Sequence, residues 1–316
     1  MRLQFPVRAF VGSSAGFALL CGCGGSPSSA PIVPATTLAP AQRAISKVGP
    51  LLYVVGQKAV YVLDFPSGQL RATIQEQGYA ACSDKKGNVF VAGDHGLDEF
   101  SHGGTAPIAH LVLPYTTNGC SFDPTTQTLA ATSGGYVAIF HQEQNPAVMY
   151  SSGFSASECG YDATGNLYVD GYAYPNVFSF AVEPHAKRNF YQVSLPAGMN
   201  ATAGQVQWDG SYVTIESGVG QTNALKIYRL SVSDTFKAKL AGTVTLSLPS
   251  IDPALSWIHS ATSQIIVPYE IGYSSNTSSL GYWKYPAGGS PVKTMAKKFG
   301  SKSGALLGVT LSVAGP

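Results

Sequence analysis

This sequence is poor in charge. Only 11% of its 316 residues are Asp, Glu, Lys or Arg, against roughly 25% in an average soluble domain. The 19 basic and 17 acidic residues nearly cancel and leave a net charge of +2. So small a balance argues against a nucleic-acid partner, and the largest basic group, Lys297-Lys298 with Lys293 and Lys302 nearby, reads as a solvated loop. Long apolar runs are also missing: past the start of the chain no stretch of about 18 uninterrupted apolar residues could span a membrane as a helix. Motifs that announce chemistry are lacking too. His95, His102, His110, His141, His185 and His259 are scattered, with no His-x-x-x-His pair. Gly218-Val219-Gly220 links strands instead of leading a strand into a helix, so it is no phosphate loop. Ser151-Ser152-Gly153 and Ser301-Lys302-Ser303 have no nucleophile-elbow context.

What is abundant is Gly (35), Pro (20), Tyr (17) and Phe (14). Strand formers punctuated by turn residues describe an all-β chain. Residues 159–180 carry its organising unit: a short apolar strand, the turn Asp162…Gly165-Asn166, a second strand at 167–169 and a third at 177–180. Gly and Asn tolerate positive φ in such a turn, and Asp caps it through its own side chain. Degenerate copies recur from residue 51 onward. Their second strands are marked by Tyr53, Phe90, Leu129, Tyr168, Val213 and Ile266, about 37 to 53 residues apart, which is propeller-blade spacing. The first copy has no strand before Leu51, and the apolar run at 304–313 has no partner strands after it. A C-terminal strand completing the N-terminal blade closes the ring. The expected fold is therefore all-β: a single β-propeller of six four-stranded blades, with seven as the competing count. The expected blades are 51–75 (with 304–316), 78–114, 118–152, 157–196, 203–249 and 251–297.

The Asp-x-x-Gly-Asn turn followed by an apolar strand, as at Asp84…Gly87-Asn88 and Asp162…Gly165-Asn166, resembles bacterial NHL-like and "YVTN"-type propeller repeats. It is looser at Asp123-Pro124-Thr125-Thr126, at Trp208-Asp209-Gly210 and at His259-Ser260. Repeats of this kind imply a fold and not a reaction. At the other end, Arg2 and Arg8 precede an apolar stretch and then Leu20-Cys21-Gly22-Cys23. This resembles the bacterial lipobox, although a Cys at its second position departs from the usual residue. The resemblance implies cleavage before Cys23 and lipidation of Cys23. The chain then divides into a signal peptide at 1–22, a lipidated Pro/Ser/Ala-rich tether at 23–50 and a propeller at 51–316. The protein is expected to be exported and held at the cell envelope, touching the membrane through its lipid alone.

Three cysteines remain. Cys120 and Cys159 each lie three residues before a turn Asp, whereas Cys82 lies two before Asp84 and should face the other way. The first reading is small apolar packing. One inter-blade disulfide or a reactive thiol are the alternatives. The recurring Asp84, Asp123, Asp162 and Asp209 read as turn caps before they read as metal ligands. Glu99, Glu158, Asp170, Glu216 and Glu270 fall near strand ends, where a channel gathers carboxylates. Propeller lactonases of the gluconolactonase type are similar in fold and hold a divalent metal such as Ca²⁺ with acidic ligands. Their motif does not map onto these residues, so a metal-dependent lactonase stands as the alternative function and no metal site is carried over. Tyr269, Tyr273, Tyr282 and Trp283, with Tyr285, crowd the sixth copy beside a Ser/Asn-rich insert and form the candidate ligand-binding surface. The leading expectation is a monomeric, non-catalytic binding module without a resident cofactor, which takes a protein or glycan partner on its loop face.

Overall fold

The computed structural model describes residues 49–314, apart from 186, 218–223, 249–251, 271–277 and 298–304. The expected signal peptide, Cys23 and nearly all of the tether lie outside the described residues, as does Tyr273. Six antiparallel sheets follow one another along the chain. Blade 1 pairs Leu51–Gly56, Val60–Asp64 and Leu70–Ile74, with Leu306–Ser312 as its innermost strand. Blade 2 runs Ala80–Ser83, Val89–Gly93, Gly96–Phe100 and Pro107–Val112. Blade 3 is Thr117–Phe122, Thr128–Ser133, Tyr136–His141 and Val148–Ser151. Blade 4 comprises Ser155–Tyr161, Leu167–Ala173, Val177–Glu183 and Tyr191–Gln192. Val206–Trp208, Val213–Ser217, Ala224–Val232 and Ala238–Ser247 make blade 5. In blade 6, Asp252–Pro253 and Trp257–His259 share the inner edge of Gln264–Glu270, followed by Ser278–Lys284 and Lys293–Lys297. Inner strands touch in sequence from blade 6 to blade 1 and on through blade 5. Blade 5 reaches blade 6 through Gln207, whose amide donates to the Ser256 carbonyl at 2.6 Å and accepts from the Ile258 N–H at 2.7 Å. The fold is a six-bladed β-propeller.

Six apolar clusters hold it, one between each pair of neighbouring blades. Leu51, Tyr53 and Val55 point to blade 2 while Leu52 and Val54 point to blade 6. Successive side chains leave a strand on opposite faces. A strand wedged between two blades is therefore apolar at every position, which is why the second strands read as continuous runs. The closing strand pairs with blade 1 from Leu51↔Ser312 to Val55↔Gly308. On its far side Ser83 Oγ donates to the Leu311 carbonyl at 2.8 Å, and Ser312 Oγ donates to the Gly87 carbonyl. His102 Nδ1 lies 2.6 Å from Ser312 Oγ, and its Nε2 lies 3.1 Å from the Gly49 carbonyl, which pins both ends of the described chain.

Two faces result. The Asp turns and the loops between third and outer strands form one, here the turn face. The second-to-third-strand turns and the blade-to-blade links form the other, the link face. The turn aspartates are caps: Asp162 accepts from the Thr164 and Asn166 N–H groups at 2.8 and 3.0 Å, and Asp84 accepts from the Asn88 N–H at 2.7 Å. Asp209 accepts from the Ser211 and Tyr212 N–H groups and also from Arg229 Nε and the Tyr285 hydroxyl, both at 2.6 Å.

Packing as the first reading of the cysteines is corrected in part. Cys82 and Cys120 form a disulfide between blades 2 and 3, with Cα atoms 5.7 Å apart, and Cys159 is a buried free thiol. The parity offset explains the pairing. Cys120 and Cys159 sit at equivalent positions and each looks back at the preceding blade, toward the carbonyls of Phe90 and Ala130. Cys82, turned the opposite way, looks forward at Cys120, so opposite orientation on neighbouring strands brings the two sulfurs together.

Candidate functional site

Inner strands of all six blades line a central channel of about 410 Å³. Of the acidic residues singled out above, Glu158, Asp170 and Glu216 converge near its link-face end, while Glu99 lies toward the turn face and accepts from Asn88 Nδ2 at 2.8 Å. Asp170 and Glu216 occupy one repeat position, three residues past Leu167 and Val213, which pair with the last residue of the inner strand. Asp170 accepts from the Glu158 N–H of its own blade and the Gly204 N–H leading into blade 5, each at 2.9 Å. Glu216 accepts from the Gln205 N–H and from the Ser256 N–H leading into blade 6, each at 3.3 Å. Thr132 holds the same position in blade 3 and donates to the Ser157 carbonyl of blade 4 at 2.7 Å. The three side chains are latches between successive blades.

Burial and mutual repulsion make these carboxyls reluctant to ionise. Burial, then the Asp170 and Glu216 charges, push Glu158 well above its ordinary range. Burial dominates at Asp170 too, against the Gly204 and Glu158 N–H groups that pull it down. Glu216 is raised by burial to about 7 despite its hydrogen bonds from Ser256 and Gln205. An acid whose folded pKa is raised binds its proton more tightly in the folded state. Its contribution to stability is then greatest below the unfolded pKa and declines as pH rises through the folded one. For Glu216 the window runs from 4.5 to about 7, with a slope of at most about 1.4 kcal/mol per pH unit. The melting temperature should therefore fall between pH 5 and pH 8, and Glu216→Gln should flatten that fall. Scanning calorimetry at both pH values reads it, and an unchanged slope in the variant would count against Glu216 as its source.

The divalent-metal ligand set implied by the lactonase resemblance does not fit. Among the described residues no three His, Cys, Asp or Glu side chains, Glu158, Asp170 and Glu216 included, form a group that could hold a metal ion. Asp170 and Glu216 already spend both carboxylate oxygens on backbone N–H groups.

The aromatic surface expected in blade 6 is corrected as well. Tyr269 is 1% exposed, Tyr282 2% and Trp283 fully buried. Tyr269 and Trp283 pack toward blade 5 with Tyr285, and Tyr282 packs toward blade 1. These rings are core because both faces of a blade are covered. Three tyrosines that are exposed instead, Tyr115, Tyr136 and Tyr174, lie on the link face of blades 3 and 4. Tyr115, in the link into blade 3, and Tyr136, opening its third strand, are 54% and 41% exposed. They stack 6.3 Å apart and within 6° of parallel. Tyr115 lines an open hollow of about 620 Å³ that also presents Asp94, His95, Thr116 and Asn118. Tyr174, in the second-to-third-strand turn of blade 4, is 99% exposed. A sequence signal existed for them: Tyr115 follows Pro114, Tyr136 follows Gly134-Gly135 and Tyr174 precedes Pro175-Asn176, so each is a large ring placed in turn chemistry.

Among known structures the chain is similar to a protein of unknown function from Bacteroides caccae, at 10% identity and a TM-score of 0.60, over 84% of this chain and 99% of that one. It is also similar to a chain of a nidogen/laminin complex, at 11% identity and a TM-score of 0.63, over 85% and 100% of the two chains. A functionally unknown protein from Desulfotomaculum acetoxidans follows at 13% identity and a TM-score of 0.50, over 78% and 80%. At such identities the likeness is one of fold. No family model matches the sequence, and no curated protein does.

Proposed function

We propose that this protein is a lipid-anchored binding module of the cell envelope, built from NHL-like repeats, whose link face takes a carbohydrate. One observation carries the reading: the stacked, half-exposed Tyr115–Tyr136 pair beside a hollow that offers Asp94, His95 and Asn118. Sugar rings present flat C–H faces to aromatic rings and hydroxyls to carboxylate and amide groups, and this hollow offers both kinds of contact. The anchor rests on Leu20-Cys21-Gly22-Cys23 and the Pro/Ser/Ala-rich stretch after it.

The test is an oligosaccharide array probed with the full chain, followed by calorimetry on what is retained. Tyr115→Ala and Tyr136→Ala should each weaken binding about ten-fold, near 1.4 kcal/mol. Variants that bind as the parent does would refute the site. If no saccharide is retained while cross-linking at Tyr174 captures a protein, the carbohydrate reading fails in favour of a protein partner. Cys23→Ser should move the protein from the membrane fraction to the soluble one, and retention would refute lipidation there.

A further inference from the structure

A second concavity lies on the opposite, turn face, between blades 3 and 4. It encloses about 330 Å³, the lower range of small-molecule pockets. Its apolar wall comprises Ile139, Tyr150, Tyr161 and Phe190. Its polar rim carries His141, His185 and Arg188, contributed by the loops that leave the third strands of the two blades.

The charge of an occupant follows from how these polar groups are used. Asp123, at the edge, accepts from the Thr125 N–H at 2.7 Å, the Thr125 hydroxyl at 2.8 Å and the Thr126 hydroxyl at 2.5 Å. Glu183 accepts the Arg188 N–H at 2.7 Å, and burial raises its carboxyl above the ordinary value. Both acids are engaged within the protein. On the other side of the ledger, among the described residues neither imidazole nor the Arg188 guanidinium takes a hydrogen bond or a salt bridge. The pocket therefore holds unused donors beside an apolar wall. Two features of the backbone place these donors. Gln142 and Arg188 have φ of 52° and 59°, a left-handed conformation uncommon outside glycine. Gly165, at φ 84°, lies directly under the His185 ring, where any side chain would collide with Nδ1.

We infer that this pocket binds a small molecule with an apolar or aromatic body and one anionic head, a carboxylate, sulfonate or phosphate. The body lies against Tyr150, Tyr161 and Phe190, and the head meets the planar donor fork of Arg188, flanked by the two imidazoles. The site is separate from the tyrosine face and does not depend on carbohydrate binding there.

The probe is 8-anilino-1-naphthalenesulfonate, which combines fused rings with one sulfonate, titrated by fluorescence into the full chain. Saturable binding at one equivalent is expected. Arg188→Glu and His141→Trp, the second of which fills the mouth, should each weaken it at least ten-fold. Leu240→Ser, on the exposed outer strand of blade 5 and outside both sites, should leave it unchanged. N-phenyl-1-naphthylamine, which lacks the sulfonate, should bind at least ten-fold more weakly than the anionic probe. No saturable binding, or binding that neither pocket variant alters, overturns the site. Equal affinity for the neutral amine overturns the anionic head. Melting curves within a few degrees of the parent identify folded variants, and if one fails to fold, the other together with the neutral amine still decides.

Discussion

A chain truncated before Leu306 is expected to show no cooperative melting transition. The strand Leu306–Ser312 is the innermost of blade 1, and Leu306, Val309 and Leu311 are 4%, 3% and 3% exposed. Removing three side chains of this size from the core forfeits about 1.5 to 3 kcal/mol each, roughly 6 kcal/mol together. It also strips the ladder from one side of Leu51–Gly56, buried along its whole length, and leaves those N–H and C=O groups unpaired against the channel. Net stability of a folded domain is only about 5 to 15 kcal/mol, so the loss is comparable to the whole. Far-UV circular dichroism during heating reads the outcome. Adding a peptide of residues 305–316 should restore the transition, since it supplies the missing strand. A truncated chain that melts cooperatively within a few degrees of the parent would show that the ring does not need its closing strand.

The second large effect is the disulfide. Cys82 and Cys120 are 38 residues apart in sequence. Cross-linking a loop of that length removes roughly 3 to 4 kcal/mol of chain entropy from the unfolded state. At about 2 to 4 °C per kcal/mol for a domain of this size, the Cys82→Ser/Cys120→Ser double variant should melt about 10 °C lower. Both cysteines are buried, at 8% and 5% exposure, so substitution is a better test than added reductant. Cys159→Ser changes a buried free thiol and leaves the cross-link intact, so calorimetry should find a much smaller shift. Equal shifts in the two proteins would sink the idea that the cross-link, and not cysteine packing, stabilises this side of the ring.

The propeller was legible because its repeat is written in local chemistry. Leu52-Tyr53-Val54-Val55 and Leu167-Tyr168-Val169 are apolar at every position because blades cover both of their faces. Asp84 and Asp162 recur because each caps its own turn within four residues. The unpartnered strand at each chain end announced the closure. What escaped depends on partners far away in sequence. The latches at Thr132, Asp170 and Glu216 form only once the next blade is docked, and their backbone partners leave no mark on the residues that bear them. The same holds for the cysteines, whose parity could be read from the turns but whose consequence needed knowledge of which blade faces which. The insert beside Tyr269, Tyr282 and Trp283 suggests a surface, yet these three lie well inside second and third strands, where neighbouring blades cover both faces. Tyr115 and Tyr174 sit in turns and Tyr136 opens its strand beside one, where no neighbouring blade covers them.

The pairing of Leu51 with Ser312 has a mechanical consequence. The described chain starts and finishes side by side on the turn face, opposite the tyrosines. A pull that separates those two ends peels Leu51–Gly56 from Leu306–Ser312 one ladder bond at a time. A pull between the start of the chain and the tyrosine face instead runs along Leu51–Gly56, whose hydrogen bonds to Leu306–Ser312 on one flank and Val60–Asp64 on the other carry the load in parallel. The same strand is weak in the first direction and strong in the second, and the second is the direction in which a ligand held on the tyrosine face would tug against the start of the chain.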